Sequence, residues 1–169
     1  MNYRTIRNSI VKGLHEYLQC PVVPADNNKK KPDYPFVSYK FTTLYKAQGS
    51  HNLIRNVIPS SDPNFESDIE ITRQEQPQMI ISVLAYSLDE VEAYEVALKA
   101  KNWFIFQGYD YLKAANIIVV KTTTVQDRTI HIVDNYEKRA GFDVVLRTAS
   151  EQKRIVETIE TMKMEGSII

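Results

Sequence analysis

The chain has 169 residues, 43% of them hydrophobic, and its 21 Lys and Arg balance 21 Asp and Glu, so the formal net charge is zero. This length predicts one soluble globular domain with a sizeable core, and no run of residues is apolar for long enough to cross a membrane. Zero net charge removes the domain-wide basic field that sequence-independent duplex binding requires.

Residues 2–18 predict a helix, because Tyr3, Ile6, Ile10, Leu14 and Tyr17 recur at helical spacing and the prolines at 21 and 24 close it. The same segment lacks the apolar run and small-residue cleavage site of a signal peptide, so a cytoplasmic protein is expected. Cys20 stands alone, without the spacing of a disulfide or metal site, and reads as a part-buried apolar residue. Residues 27–32, NNKKKP, form a polar turn whose lysines are solvated. Residues 36–43 then alternate as a half-buried strand with Val37, Tyr39 and Phe41 on one face.

Between residues 44 and 68 periodicity is lost among Gly49, Pro59, Pro63 and small polar residues, which predicts a long loop. Leu53, Ile54, Val57, Ile58 and Phe65 lie in it, and apolar residues in a loop need a partner. The expectation is an arm that docks on another subunit; the alternative is a hairpin folded on its own domain.

Residues 69–73 resume a strand, and Gln76-Pro77 marks a bend. From 79 to 86 a second strand places Met79, Ile81, Val83 and Ala85 on one face, with Ile80, Leu84 and Tyr86 on the other. Ser87, three residues before Glu90, predicts a capping box. Val91, Tyr94, Leu98 and Ile105, flanked by Ala93, Ala97, Ala100 and Phe104, predict a helical stripe lying on a sheet, ended by a left-handed Gly108. Residues 109–116 read as a connection, 117–125 as a β-branched strand and 127–128 as a turn. A short strand at 129–133, a turn at 134–135 and a strand at 136–148 complete the set. In that last strand Tyr136, Ala140, Phe142, Val144 and Leu146 are expected to face in, and Glu137, Arg139, Asp143 and Arg147 out.

The predicted fold class is α+β: a mixed, mainly antiparallel sheet flanked by two main helices, with a long loop and a C-terminal arm. Residues 1–150 form one domain, with the 44–68 loop inside it. Residues 151–169, with Ile155, Ile159 and Met162 at helical spacing, form the arm. The apolar residues of loop and arm are the candidate oligomer or partner contacts.

Signals of chemistry are missing. No phosphate loop, zinc or serine-nucleophile motif occurs, and His15, His51 and His131 have no second ligand at a useful spacing. Asp89, Glu90, Glu92 and Glu95 are explained by the dipole of the helix they begin. No catalytic, cofactor or metal residue is assigned. Two other readings stay open on residues alone. One is a small α+β ligand-binding domain or enzyme, and the other a single-strand binding module built from the tyrosines with residues 29–31.

Four stretches carry a resemblance: KPDYPFVSYKFTT at 31–43, QEQPQMIISVLAYSLDEVEAYEVALKAKNWF at 74–104, GYDYLK at 108–113 and VDNYEKRAGFDVVLR at 133–147. Through them the chain resembles the neck or tail-terminator proteins of tailed bacteriophages and of defective prophages in Gram-positive bacteria. The resemblance implies a structural protein, not an enzyme, without a cofactor. It implies a ring, a hexamer, at the head-proximal end of the tail tube, touching the tail tube protein and the head connector or head completion protein. DNA would pass through that ring without specific binding, the subunits would be assembled in the host cytoplasm, and no membrane would be involved.

Overall fold

The structure, a computed structural model, describes residues 2–28, 30–49, 51–132 and 135–157. By their contacts these form two compact units. Of the described residues, the first holds those within 2–48 and 76–149, and the second those within 49–75 and 150–157.

The first unit opens with α1 (Tyr3–Leu18), whose Asn2 side chain accepts from the Thr5 N–H at 3.2 Å and whose end is set by Gln19 at φ 56°. Ile6, Ile10 and Leu14 are buried as their spacing predicts, while Tyr3 and Tyr17 at the two ends stay partly exposed. Then come β1 (Val22–Pro24) and β2 (Phe36–Lys46), parallel to one another. The unit continues with β5 (Gln78–Ser87), α2 (Glu90–Asn102), a π-helical turn at Trp103–Gln107 and α3 (Tyr109–Ala114). It ends with β6 (Ile117–Thr122), β7 (Gln126–Asp127), β8 (Ile130–Ile132) and β9 (Asn135–Thr148). The sheet runs β1-β2-β5-β9-β6, with β7 and β8 also paired to β9, and every pairing other than β1–β2 is antiparallel. Met79, Ile81, Val83 and Ala85 of β5 join Ala140, Phe142, Val144 and Leu146 of β9 in one core with α1, α2 and α3. The fold is therefore α+β with a mixed, mainly antiparallel sheet.

Several local expectations are corrected in this unit. The cap of α2 is Asp89, which accepts from the Glu92 N–H at 2.9 Å, and Ser87 bonds the Asp89 N–H and the Glu92 carboxylate instead of pairing with Glu90. Gly108 has φ −89° and is not left-handed. Its missing side chain is required because a Cβ there would lie 2.6 Å from the Trp103 ring, so the chain passes from the π turn into α3 where a connection is expected. Tyr136 is exposed, and Glu137, expected outside, is buried. The turn expected at 134–135 falls partly outside the described residues.

The second unit is a three-stranded antiparallel sheet of β3 (Asn52–Pro59), β4 (Ser67–Glu75) and β10 (Ser150–Glu157), in the order β10-β4-β3. Residues 44–68, read as a loop, thus hold the end of β2, all of β3 and the start of β4. The first part of the expected arm is the strand β10.

Candidate interaction surface

Opposed residues of an antiparallel pair share a face, so the register sorts the side chains of the three-stranded sheet. One face carries the rows Leu53–Arg73–Gln152, Arg55–Ile71–Arg154 and Val57–Ile69–Val156. The other carries Asn52–Gln74–Glu151, Ile54–Thr72–Lys153, Asn56–Glu70–Ile155 and Ile58–Asp68–Glu157. All three arginines of β3, β4 and β10 lie on the first face and four carboxylates on the second. Lys153 bridges Glu70 at 3.2 Å and Glu151 at 4.0 Å on the second face, and Arg73 pairs with Glu75 at 3.0 Å on the first. Arg55 and Arg154, on either side of Ile71, have no ion pair among the described residues.

Of the candidate contact residues, Leu53, Ile54, Val57 and Ile155 are exposed, with Val57 at 76%, while Ile58 and Phe65 are half-buried. Ile159 and Met162 lie outside the described residues. Leu53 and Val57 share the arginine face, whereas Ile54, Ile58 and Ile155 share the carboxylate face; the structure divides these residues between two surfaces. β3 and β10 are the edges of this sheet among the described residues, each leaving a row of backbone groups unpaired by the sheet.

A second surface lies on α2 of the first unit. The residues packed on the sheet are the small Ala93, Ala97 and Ala100 with Phe104, and the larger Val91, Leu98 and Ile105 point away, Val91 being 64% exposed. Of the expected stripe, the alanines and Phe104 are buried on the sheet and Tyr94 is partly buried, while Val91, Leu98 and Ile105 are turned toward solvent. Alanines let the helix axis approach the sheet closely, and the bulky residues are left on the far side with Glu95 between Val91 and Leu98. The signal was present as a spacing of seven for Val91, Leu98 and Ile105, out of phase with the alanines. Leu88 and Phe106 extend this exposed apolar surface at its two ends.

A charged cluster ties the loop before β2 to β9. The Glu137 carboxylate takes Lys31, Arg139 (Nε at 2.7 Å) and the Tyr34 hydroxyl at 2.6 Å. Arg139 also lies over the Tyr86 ring, which stacks on Phe36 at 4.5 Å between centroids. Lys31, expected in a solvated run, is therefore an anchor of this loop; Lys29 lies outside the described residues. A carboxylate with two cations and a phenol at its oxygens has its acceptor sites occupied, so the arrangement is a clasp rather than a proton-transfer site.

Of the residues set aside as chemically inert, His15, His131 and Cys20 have local partners. His15 Nδ1 lies 2.8 Å from the Cys20 carbonyl and donates to it. His131 packs against Tyr136, and burial pushes the Cys20 thiol above its usual pKa. An open groove of about 560 Å³ beside α1 is lined by Arg7, Lys12, His15, Val22, Pro24 and Tyr39. Among the described residues no three His, Cys, Asp or Glu are grouped to hold a metal, and no helix is long and apolar enough to cross a membrane.

The model of a family described as phage neck terminator protein matches residues 8–169. No curated protein matches the chain.

Proposed function

The chain belongs to the phage neck terminator family, and from that premise we propose that it assembles as a ring, a hexamer, at the head-proximal end of the tail tube. Membership makes it a structural protein of the virion tail and neck that associates with other phage proteins. The proposed ring ends tube polymerisation: one face meets the last ring of tail tube protein, and the other meets the head connector or head completion protein. DNA passes through the lumen without specific binding, and the subunits are assembled in the host cytoplasm.

The observation that supports this reading is the three-stranded sheet, which leaves Leu53, Val57 and Ile155 in water and, among the described residues, the outer edge of each flanking strand without a strand partner. A surface of that kind gains by burial against a neighbour, and two different patches meeting head to tail close into a ring when the rotation permits. We infer that the segment 44–68 and the arm beginning at residue 151 supply such contacts through β3, β4 and β10.

Electron microscopy of the protein, alone and with growing tail tubes, tests the reading. The expected images are annuli of six subunits and tubes that stop at a bound ring. Particles that remain single subunits, together with tubes that elongate past added protein, reject it.

A further inference from the structure

We propose that the arginine-bearing face of the three-stranded sheet in one copy docks on the exposed stripe of α2 in a second copy. The proposal rests on the reading above only in requiring that copies of the chain associate.

The two surfaces are alike in being apolar and opposite in charge. On the sheet, Arg55 and Arg154 flank Ile71 beside the apolar row Val57–Ile69–Val156. On α2, Val91 and Leu98 flank the exposed Glu95, with Glu92 one turn before it and Glu90, 3.9 Å from Lys138, at the helix start. The arginine face does not suit a second copy of itself. Two arginine faces would bring like charges together, a cost that selects against that symmetric pairing, and two α2 starts laid side by side would do the same. The pairing of unlike patches buries both apolar surfaces and gives Arg55 and Arg154 carboxylate partners that the described residues of their own chain do not provide. Since each copy carries one of each patch, the contact is head to tail and leaves one sheet and one stripe open at the ends of any short chain of copies.

This predicts how defective variants combine. Val91→Asp with Leu98→Asp spoils the stripe and keeps the sheet face; Arg55→Glu with Arg154→Glu does the reverse. All four positions lie on the surface of their elements, and circular dichroism melts matching the wild type establish that both proteins are folded. If a melt is shifted, Leu98→Ser and Arg154→Gln serve in their place. Sedimentation should show the wild type as a multimer, each variant as a monomer, and their equimolar mixture as a dimer that grows no further, because only one sheet–stripe contact survives per pair. A multimer formed by either variant alone, or a mixture that stays monomeric, overturns the docking while a multimeric wild type leaves ring formation standing. A wild type that is monomeric at every concentration overturns both.

Discussion

In the seven-stranded sheet Ile81, Val83, Phe142 and Val144 are withdrawn from solvent, whereas in the three-stranded sheet Leu53, Ile54, Val57 and Ile155 remain in it. Both sheets are hydrogen-bonded ladders of β-branched and charged residues. They differ in what lies against them. Helices cover one face of the first, and each buried aliphatic or aromatic side chain there contributes roughly 1.5–3 kcal/mol. The second sheet holds itself by backbone pairing and surface ion pairs such as Lys153–Glu70, which are worth about 0–1 kcal/mol each. A sheet so made presents its apolar residues to a partner. Apolar content alone does not locate a core; the element packed above a strand decides.

Four substitutions test that contrast. The largest effect belongs to Phe142→Asp, which places an uncompensated charge where Phe104 meets Phe142 edge to face, and the expected outcome is a chain without a cooperative melt. Next, Glu137→Ala strands Lys31, Arg139 and the Tyr34 hydroxyl; because both cations are partly exposed the expected loss is about 1–3 kcal/mol, read from urea midpoints. Gly13→Ala puts a Cβ 2.5 Å from Trp103 and 2.8 Å from Tyr111, and the repacking should cost about 1–2 kcal/mol by the same measurement despite the better helix propensity of alanine. Smallest is Val57→Ser on the open sheet, expected to shift stability of the isolated chain by no more than about 0.5 kcal/mol. A large loss at Val57 would mean that its side chain is already covered within the monomer, and the contrast between the sheets would fall. A further check needs no substitution: the buried Cys20, its thiol held protonated, should be alkylated slowly in the folded chain and quickly after denaturation.

The strand at 136–148 was legible because Ala140, Phe142, Val144 and Leu146 face the core and alternate with mostly polar residues, and that at 79–86 because a short apolar run bounded by turn signals marks a strand covered on both faces. The β3 strand left no such trace. Exposed on both faces, NLIRNVIP has no reason to alternate, and Gly49, Pro59 and Pro63 around it read as loop. Within the α2 stripe the alanines and Phe104 lie on the sheet as expected, and Val91, Leu98 and Ile105 do not, because a helix lying close on a sheet selects alanine at the contact and leaves larger residues outside. Glu137 was placed outside because its partners Lys31 and Tyr34 stand more than a hundred positions earlier, beyond any local pattern. The candidate contacts were found as residues but not as surfaces. Separating Leu53 and Val57 from Ile54 and Ile155 requires the register with β4, and no strand spacing within the segment supplies it.

The indole of Trp103, enclosed by the bare backbones of Gly13 and Gly108, is the chain's single tryptophan. It is therefore an intrinsic optical probe of one unit alone. Its emission should be that of a ring shielded from water while α1, the π turn and α3 hold together, and should move to longer wavelength when they part. Energy reaching it from Tyr111, 6.1 Å away between ring centres, should vanish in the same step. Far-ultraviolet dichroism sees every strand, including β3, β4 and β10. Followed side by side during heating, the two signals separate if the open sheet melts first and coincide if the whole chain unfolds at once, which measures the coupling between the units without any label.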